Sequence, residues 1–494
     1  MPRGCACPSP LSAVAPGAWD SDEESLAAYE LSRDAARRRR RGPPPDLRDP
    51  DAALDVSPRG GDAMTWTPGS LPADQDPSLA AAPRVVFPPL PASSSASRDF
   101  PATVPPGHDA YGFPLPTDED ALAARARCDA SARKRSPRWD LFRNARGADA
   151  FKNLYPGCDA ADDFGFVGAA GVPSKRLFPF DRLFDALIPT PRSKVRRAWA
   201  MLKNLTRKGV PHDLRPHVWW HASGAFAARE SRSPGAYASL RDAFDPSAGG
   251  RAPTEREKKT LEQIDLDVER TFPENPVFTD EKRGPRGTRR ILTALAKLKP
   301  ETGYCQGMNY IAGFAWLVHE GDEEKAFWTV FALLQNVVAD RVHSHDIGGC
   351  VSEFRVLHRL IRRSLPRLHR HFEKTGTDLV MVAARWLLCF LVESFPPETT
   401  ARAMDAIFSE GVKVWFRVVL ATLKMNEREI LSAKTLPEIM TTLRSAFRET
   451  HDRDALMRVA FAGIGRVSRK DIQRHRETVR KEENAEKERK KKRE

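Results

Sequence analysis

Sustained hydrophobicity is scarce in this 494-residue chain: its longest apolar run, residues 310–318, is flanked by Asn309 and His319. A membrane-spanning helix needs ~20 such residues, so a transmembrane class is excluded. The opening, MPRGCACPSP, has no apolar h-region and no glycine after Met1, and an acidic stretch follows at 20–24. Neither secretion nor N-myristoylation is therefore expected. Cysteine is sparse as well, with seven residues, an odd number, scattered from Cys5 to Cys389 without metal-ligand spacing. That excludes a disulfide framework and a zinc site and fits a reducing cytosol. Cys5 and Cys7, beside basic residues, are candidates for palmitate, with ordinary unmodified thiols the simpler expectation.

Proline is abundant but segregated: 27 of 40 fall between Pro2 and Pro191. Residues 1–180, rich in Pro, Ala, Ser, Arg and Asp, show little sustained periodicity and are expected to be largely disordered. Two apolar islands interrupt them, Tyr111-Gly112-Phe113 and Asp163-Phe164-Gly165-Phe166. These are either docked strands or turns, or stray linker aromatics. The net charge of +13 is partly a tail property, since residues 466–494 hold 13 Lys/Arg against 7 Asp/Glu. Within that tail Glu477/Lys481, Glu483/Lys487, Glu486/Lys490 and Glu488/Lys492 are spaced i, i+4, which predicts a solvated polar helix. The other basic run, 37–41, has no interleaved aromatics for base stacking.

From about Phe180 the texture becomes helical, and no period-2 strand or fixed-period repeat is found. Residues 323–337 align Phe327, Val330, Phe331, Leu334 and Val337. Phe354, Leu357, Leu360 and Ile361 form a second stripe, opposed by Arg355, Arg359, Arg362 and Arg363 and interrupted by Pro366. Residues 379–392, apolar but for Arg385, predict one central buried helix, and 412–423, 430–433 and 440–447 continue the pattern. The fold class is all-α: a folded domain over 181–465 with its motif core at about 205–425, then the charged helical tail 466–494.

Three clusters stand out. Gly209-Val210-Pro211, with Leu214-Arg215 and Val218-Trp219 behind it, reads as a turn opening a helix. In Ile264-Asp265-Leu266-Asp267-Val268-Glu269-Arg270-Thr271, Asp267 and Arg270 share a helical face just before Pro273, and alone they would be an ion pair. In Tyr304-Cys305-Gln306-Gly307-Met308-Asn309, glycines 303 and 307 bracket a glutamine where an apolar helix, 308–318, begins.

In this order the clusters resemble the TBC domain of Rab GTPase-activating proteins, with IxxDxxRT and YCQGMN both complete. The likeness continues through Glu323-x-x-Ala326-Phe327-Trp328, Trp386-Leu387-Leu388, Phe395-Pro396 and Gly411-Val412-Lys413-Val414-Trp415-Phe416-Arg417, and covers about half the chain. The later part and Tyr111-Gly112-Phe113 are most similar to the growth-hormone-regulated TBC protein group. Met404-Asp405 stands where the family commonly has Trp-Asp, a change in core packing.

The resemblance implies a multi-helix Rab-GAP domain that accelerates GTP hydrolysis on a Rab-type small GTPase in its GTP-bound form. It implies Arg270 as arginine finger and Gln306 as the glutamine that holds the attacking water, with Asp267 orienting Arg270. Tyr304, Asn309 and Arg215 are expected to be scaffold or interface residues, and Cys305 a packed thiol. Such a protein is a regulator in vesicle trafficking rather than itself an enzyme. It has no GxxxxGK[ST] loop, so GTP and Mg²⁺ come with the partner and it needs no cofactor of its own. Its expected place is the cytoplasm, peripheral to endomembranes, with weak anionic membrane contact through the basic tail. A non-catalytic TBC scaffold or GTPase-binding adaptor is the alternative. Specific nucleic-acid binding lacks any supporting motif. A fragment from near Phe180 to near Ser468 is expected to fold and keep activity.

Overall fold

The computed structural model describes residues 105–139, 203–279, 283–339, 341–344 and 346–493. Cys5, Cys7, the basic run 37–41, the island 163–166 and the boundary near residue 180 lie outside the described residues. Among the described residues the fold is all-α, with no strand beyond an isolated bridge between His108 and Pro114. The helices are α1 (Glu119–Arg135), α2 (Arg215–Ala222), α3 (Ala225–Glu230), α4 (Ala236–Arg241), α5 (Glu255–Glu269), α6 (Pro276–Thr279), α7 (Arg283–Leu298), α8 (Met308–Val318) and α9 (Glu323–Asn336). They continue as α10 (Gly348–Ser364), α11 (Pro366–Thr375), α12 (Leu379–Leu388), α13 (Pro397–Glu410), α14 (Lys413–Met425), α15 (Glu427–Ser432), α16 (Leu436–Arg448), α17 (Arg453–Arg458) and α18 (Arg469–Lys491).

Local chemistry sets the boundaries. α5 starts on a capping box, in which the Thr254 hydroxyl accepts from the Glu257 amide and the Glu257 carboxylate accepts from the Thr254 amide. Asp322 and Asp378 cap α9 and α12 in the simpler way. α10 buries Phe354, Leu357, Leu360 and Ile361, and Pro366 forces a new helix to begin. α8 is the centre of the first half, packed against α7, α9 and α5, and every residue in it but Tyr310 is buried. α14 plays that part in the second half, against α13, α16, α17 and the π-helical turn Val459–Gly463. Buried Met404 lines a small apolar cavity with Trp219, Ile311, Phe314 and Phe408.

The run 379–392 is not one buried helix. α12 ends at Leu388, Met381 is 63% exposed, and Phe390 and Leu391 take left-handed φ values of 50° and 69°. Both side chains are fully buried, so core packing of the aromatic and aliphatic groups holds a backbone that propensity alone would not choose.

The tail is a helix, but a docked one. α18 lies along α10, burying Ile472 and Val479. Arg476 pairs bidentately with buried Glu353 at 2.6 and 2.7 Å, and Glu482, Glu483 and Glu486 reach Arg355 and Arg359. The glutamates spaced for pairing along the helix are in part used across it.

Ordered structure also extends upstream of 180. Tyr111 and Phe113 are buried, as is Trp139, whose indole N–H donates to the Gly209 carbonyl at 3.0 Å. α1 carries no apolar stripe to be read, because it docks through polar groups. Arg135 Nη2 donates to both Asp454 oxygens at 3.0 and 3.1 Å, Asp129 pairs with Arg453, and the Cys128 thiol donates to Asp452. A fragment beginning near residue 180 would lose these core side chains.

Candidate functional site

α5 ends at Glu269, and Arg270 caps it, which puts a cation at the negative end of the helix dipole. Asp267, one turn earlier, is wholly buried, whereas the Arg270 side chain is 45% exposed. Asp267 Oδ1 accepts from Arg270 Nε at 3.0 Å and Nη2 at 2.7 Å. Its Oδ2 accepts from the Tyr304 hydroxyl at 2.6 Å. One carboxylate therefore grips both loops, and neither of its oxygens is left to swing toward another partner. Burial, then Asp267, pushes the Tyr304 phenol well above its usual range, which keeps it a donor.

Asn309, in the first turn of α8, makes a second tie. Its Oδ1 accepts from the Gly307 amide at 3.0 Å, and its Nδ2 donates to the Thr271 hydroxyl at 2.8 Å and to the Asp267 carbonyl at 3.3 Å. Gly307 has φ 107°, and a Cβ there would sit 2.8 Å from the Leu388 carbonyl, so no other residue fits. That carbonyl is also bonded to His343 Nε2 at 2.9 Å, and burial lowers the His343 pKa. Gln306, between these fixed neighbours, is exposed, and among the described residues its amide has no hydrogen-bond partner. The Cys305 thiol is pushed up to about 11 by burial and then by Asp267, which suits a packed thiol and not a nucleophile.

Behind Arg270 the chain turns sharply. Phe272 has φ 51°, a conformation costing about 1–3 kcal/mol for such a residue, and it persists where the surroundings over-determine it. Its ring meets Phe113 at 5.0 Å, Phe278 at 5.1 Å and Tyr310 at 5.5 Å, all edge to face. Asn275, fully buried, accepts from the Val277 amide at 3.1 Å and donates to the Tyr111 carbonyl at 2.8 Å.

Arg215 lies elsewhere and is internal. It donates to Asp405 at 3.0 Å, to the Val210 carbonyl at 2.9 Å and to the Tyr111 hydroxyl, and Trp219 Nε1 shares Asp405 at 2.8 Å. The Arg215 side chain is buried. Asp267, Arg270, Tyr304 and Asn309 are thus brought into one bonded network, with Gln306 on its rim. Thr271 and Asn275 were not singled out from sequence. The available signal for Asn275 was its place before Pro276 at a helix start.

Among the described residues one group has metal-ligand proximity, His358, His369 and Glu373, with ring nitrogens 3.0 Å apart. Arg359 and Arg362 beside His358 oppose a cation there, and the group has no part in the Asp267–Asn309 network. Chemically, the site offers an exposed guanidinium and an exposed primary amide on loops tied by buried bonds, at a surface rather than in a pocket.

The family model for the Rab-GTPase-TBC domain matches residues 212–431, which include both loops. Growth hormone-regulated TBC protein 1-A of Danio rerio is 34% identical over 285 residues, 56% of this chain and 76% of that one. Growth hormone-regulated TBC protein 1 of Homo sapiens is 31% identical over 329 residues, 65% of this chain and 91% of that one. The crystal structure of the Chlamydomonas flagellar RabGAP TBC domain superposes with a TM-score of 0.54 at 28% identity, covering 73% of this chain and 100% of that one. Helical architecture, both loop motifs and relatives matched over most of their length agree: the chain belongs to the Rab-GTPase-TBC domain family.

Proposed function

We propose that this protein is a GTPase activator that engages a Rab-type small GTPase in its GTP-bound form and supplies Arg270 and Gln306 in trans. Charge spreads onto the transferring phosphoryl oxygens in the transition state, and a permanently charged, forked guanidinium compensates it. An amide that both donates and accepts can hold the attacking water in line. Asp267 fixes the Arg270 edge it binds, so the guanidinium is oriented before the partner arrives and less ordering is required on docking. Asn309 makes the two loops one unit, so the distance between cation and amide is set by this protein and not by the GTPase. The observation that carries the reading is this pairing of two exposed reactive-type side chains with a wholly buried tether.

GTP and Mg²⁺ come with the partner. In a cell the protein works in the cytoplasm at endomembrane surfaces, within vesicle trafficking. The basic last turn of α18, Arg489 to Lys491, supplies a weak contact to anionic lipid. No helix among the described residues is long and apolar enough to cross a membrane.

Single-turnover GTP hydrolysis across a panel of purified Rab-type GTPases tests the proposal. Acceleration of at least one by orders of magnitude is expected, since an arginine in trans can be worth ~10³–10⁵. A protein that binds GTP-loaded partners without accelerating any of them would instead be a scaffold.

A further inference from the structure

The turn at 109–113 is held by hydrogen bonds of its own. The Asp109 carboxylate accepts from the Tyr111 and Phe113 amides at 2.9 and 3.0 Å, and the Asp109 amide donates to the Phe113 carbonyl at 2.7 Å. Gly112 closes it with φ 85°. A turn so fixed presents two groups to the segment behind Arg270 and a third to α8. The Tyr111 carbonyl takes the Asn275 amide at 2.8 Å, the Phe113 ring edges Phe272 at 5.0 Å, and the Tyr111 ring rests 5.3 Å from Phe314 on α8. The approach is so close that a Cβ at Gly112 would come within 3.2 Å of the Asn275 side chain. Phe272, held in a left-handed conformation, is two residues from Arg270, and Asn275 governs where the chain leaves that turn.

We propose that residues 109–113 form a strap that positions the Arg270 loop, with Phe113 and Tyr111 as positioning residues for GTP hydrolysis on the partner. This rests on the role given to Arg270. Without the strap, Phe272 loses one of its three ring contacts and Asn275 loses its acceptor. The loop would then relax from the one geometry that these contacts enforce. Docking of a GTPase involves many surface groups, whereas the strap touches the back of the loop. Its loss should therefore lower the maximal rate and leave the half-saturating activator concentration nearly unchanged. A misplacement of about 1 Å can cost up to ~10²-fold.

The test compares the full chain with Phe113→Ala, Phe113→Leu and Arg270→Lys in single-turnover hydrolysis at saturating activator, with hydrogen exchange followed at residues 271–279. For Phe113→Ala we expect the maximal rate to fall at least about tenfold, exchange to rise at 271–279, and Phe113→Leu to recover most of both. If Phe113→Ala fails to fold, Gly112→Ala, which adds one methyl against Asn275, takes its place with the same expectations. A folded variant with wild-type maximal rate and unchanged exchange overturns the strap, as does an effect confined to half-saturation. If Arg270→Lys is as active as wild type, the role of Arg270 fails, and exchange at 271–279 alone then decides whether the strap holds the loop.

Discussion

The Asn309 side-chain amide donates to the Thr271 hydroxyl at 2.8 Å across 38 residues of sequence, and this buried bond joins the turn after Arg270 to the helix after Gln306. Asn309→Ala would leave the Gly307 amide without its acceptor and take one donor from the Thr271 hydroxyl, which keeps its own bond to the Asp267 carbonyl at 2.7 Å. We expect a loss of ~1–3 kcal/mol in urea denaturation. Stimulation should fall with it at temperatures where the variant is still fully folded.

Arg270→Lys and Gln306→Ala should each depress stimulated hydrolysis strongly while circular dichroism stays that of the wild type. Lysine keeps the charge next to Asp267 but cannot reproduce the planar fork. On the proposal that both groups act on one transition state, the double variant should lose less than the two single losses combined. Folded single variants with full activity would remove the two-finger mechanism.

Most of this network was legible in the chain. Asp267 and Arg270 are three apart ahead of Pro273, and the helix starting at Met308 was visible from its apolar run and flanking glycine. What could not be read was anything set by distant contact. Thr271 stood inside a motif and Tyr111 in an apolar island, but nothing in the chain showed that Thr271 would meet Asn309 across 38 residues or Tyr111 meet Asn275 across 164. α1 escaped because its docking uses Arg135, Asp129 and Cys128 in place of an apolar stripe. The break after Leu388 escaped for the opposite reason, since an unbroken apolar run gives no hint of left-handed residues at 390 and 391.

Leu266 is 66% exposed and lies one helical turn before Arg270. An apolar side chain so placed suits contact with the proposed GTPase partner beside Arg270. Leu266→Ser should leave thermal stability unchanged and raise the activator concentration for half-maximal stimulation several-fold with little change in maximal rate. A pure change in maximal rate would contradict a docking role.

Removing residues 469–494 should weaken sedimentation with anionic liposomes, and it should also lower thermal stability. Burial of Ile472 and Val479 would be lost, at about 1.5–3 kcal/mol for each side chain if fully transferred to water. Glu353 would lose both of its bonds to Arg476. Lipid binding is best separated from docking by changing Lys490, Lys491 and Lys492 to Gln, which should affect sedimentation and leave the melting temperature alone.

Glu410 gives a pH signature. Burial alone would raise its pKa, but Arg207, then Lys413 and Lys203, hold it at about 2 against an ordinary 4.5. The same burial pulls Lys413 down to about 8 in spite of Glu410, so Arg207 is the partner that carries the pair. A depressed folded pKa means stability that is present above about 4.5 and lost as pH falls toward 2, on the order of 3 kcal/mol. Glu410→Gln should lower stability at neutral pH and flatten its decline in acid, measured as melting temperature between pH 6 and 3.

α1 is bonded to a segment near the far end of the domain. α1 finds its partners at Asp452, Arg453 and Asp454, some 320 residues downstream. At ~5–20 residues per second, a ribosome takes roughly 15–65 s to make that stretch. α1 must therefore wait, already synthesised, until almost the whole domain has emerged, and its docking closes a loop far longer than any local helix pairing requires. A nascent chain cut short before 452 can complete much of the helical core yet cannot seat α1 on its own partners. Seating of α1 thus requires that synthesis has passed Asp454, with only the π-helical turn and α18 still to follow.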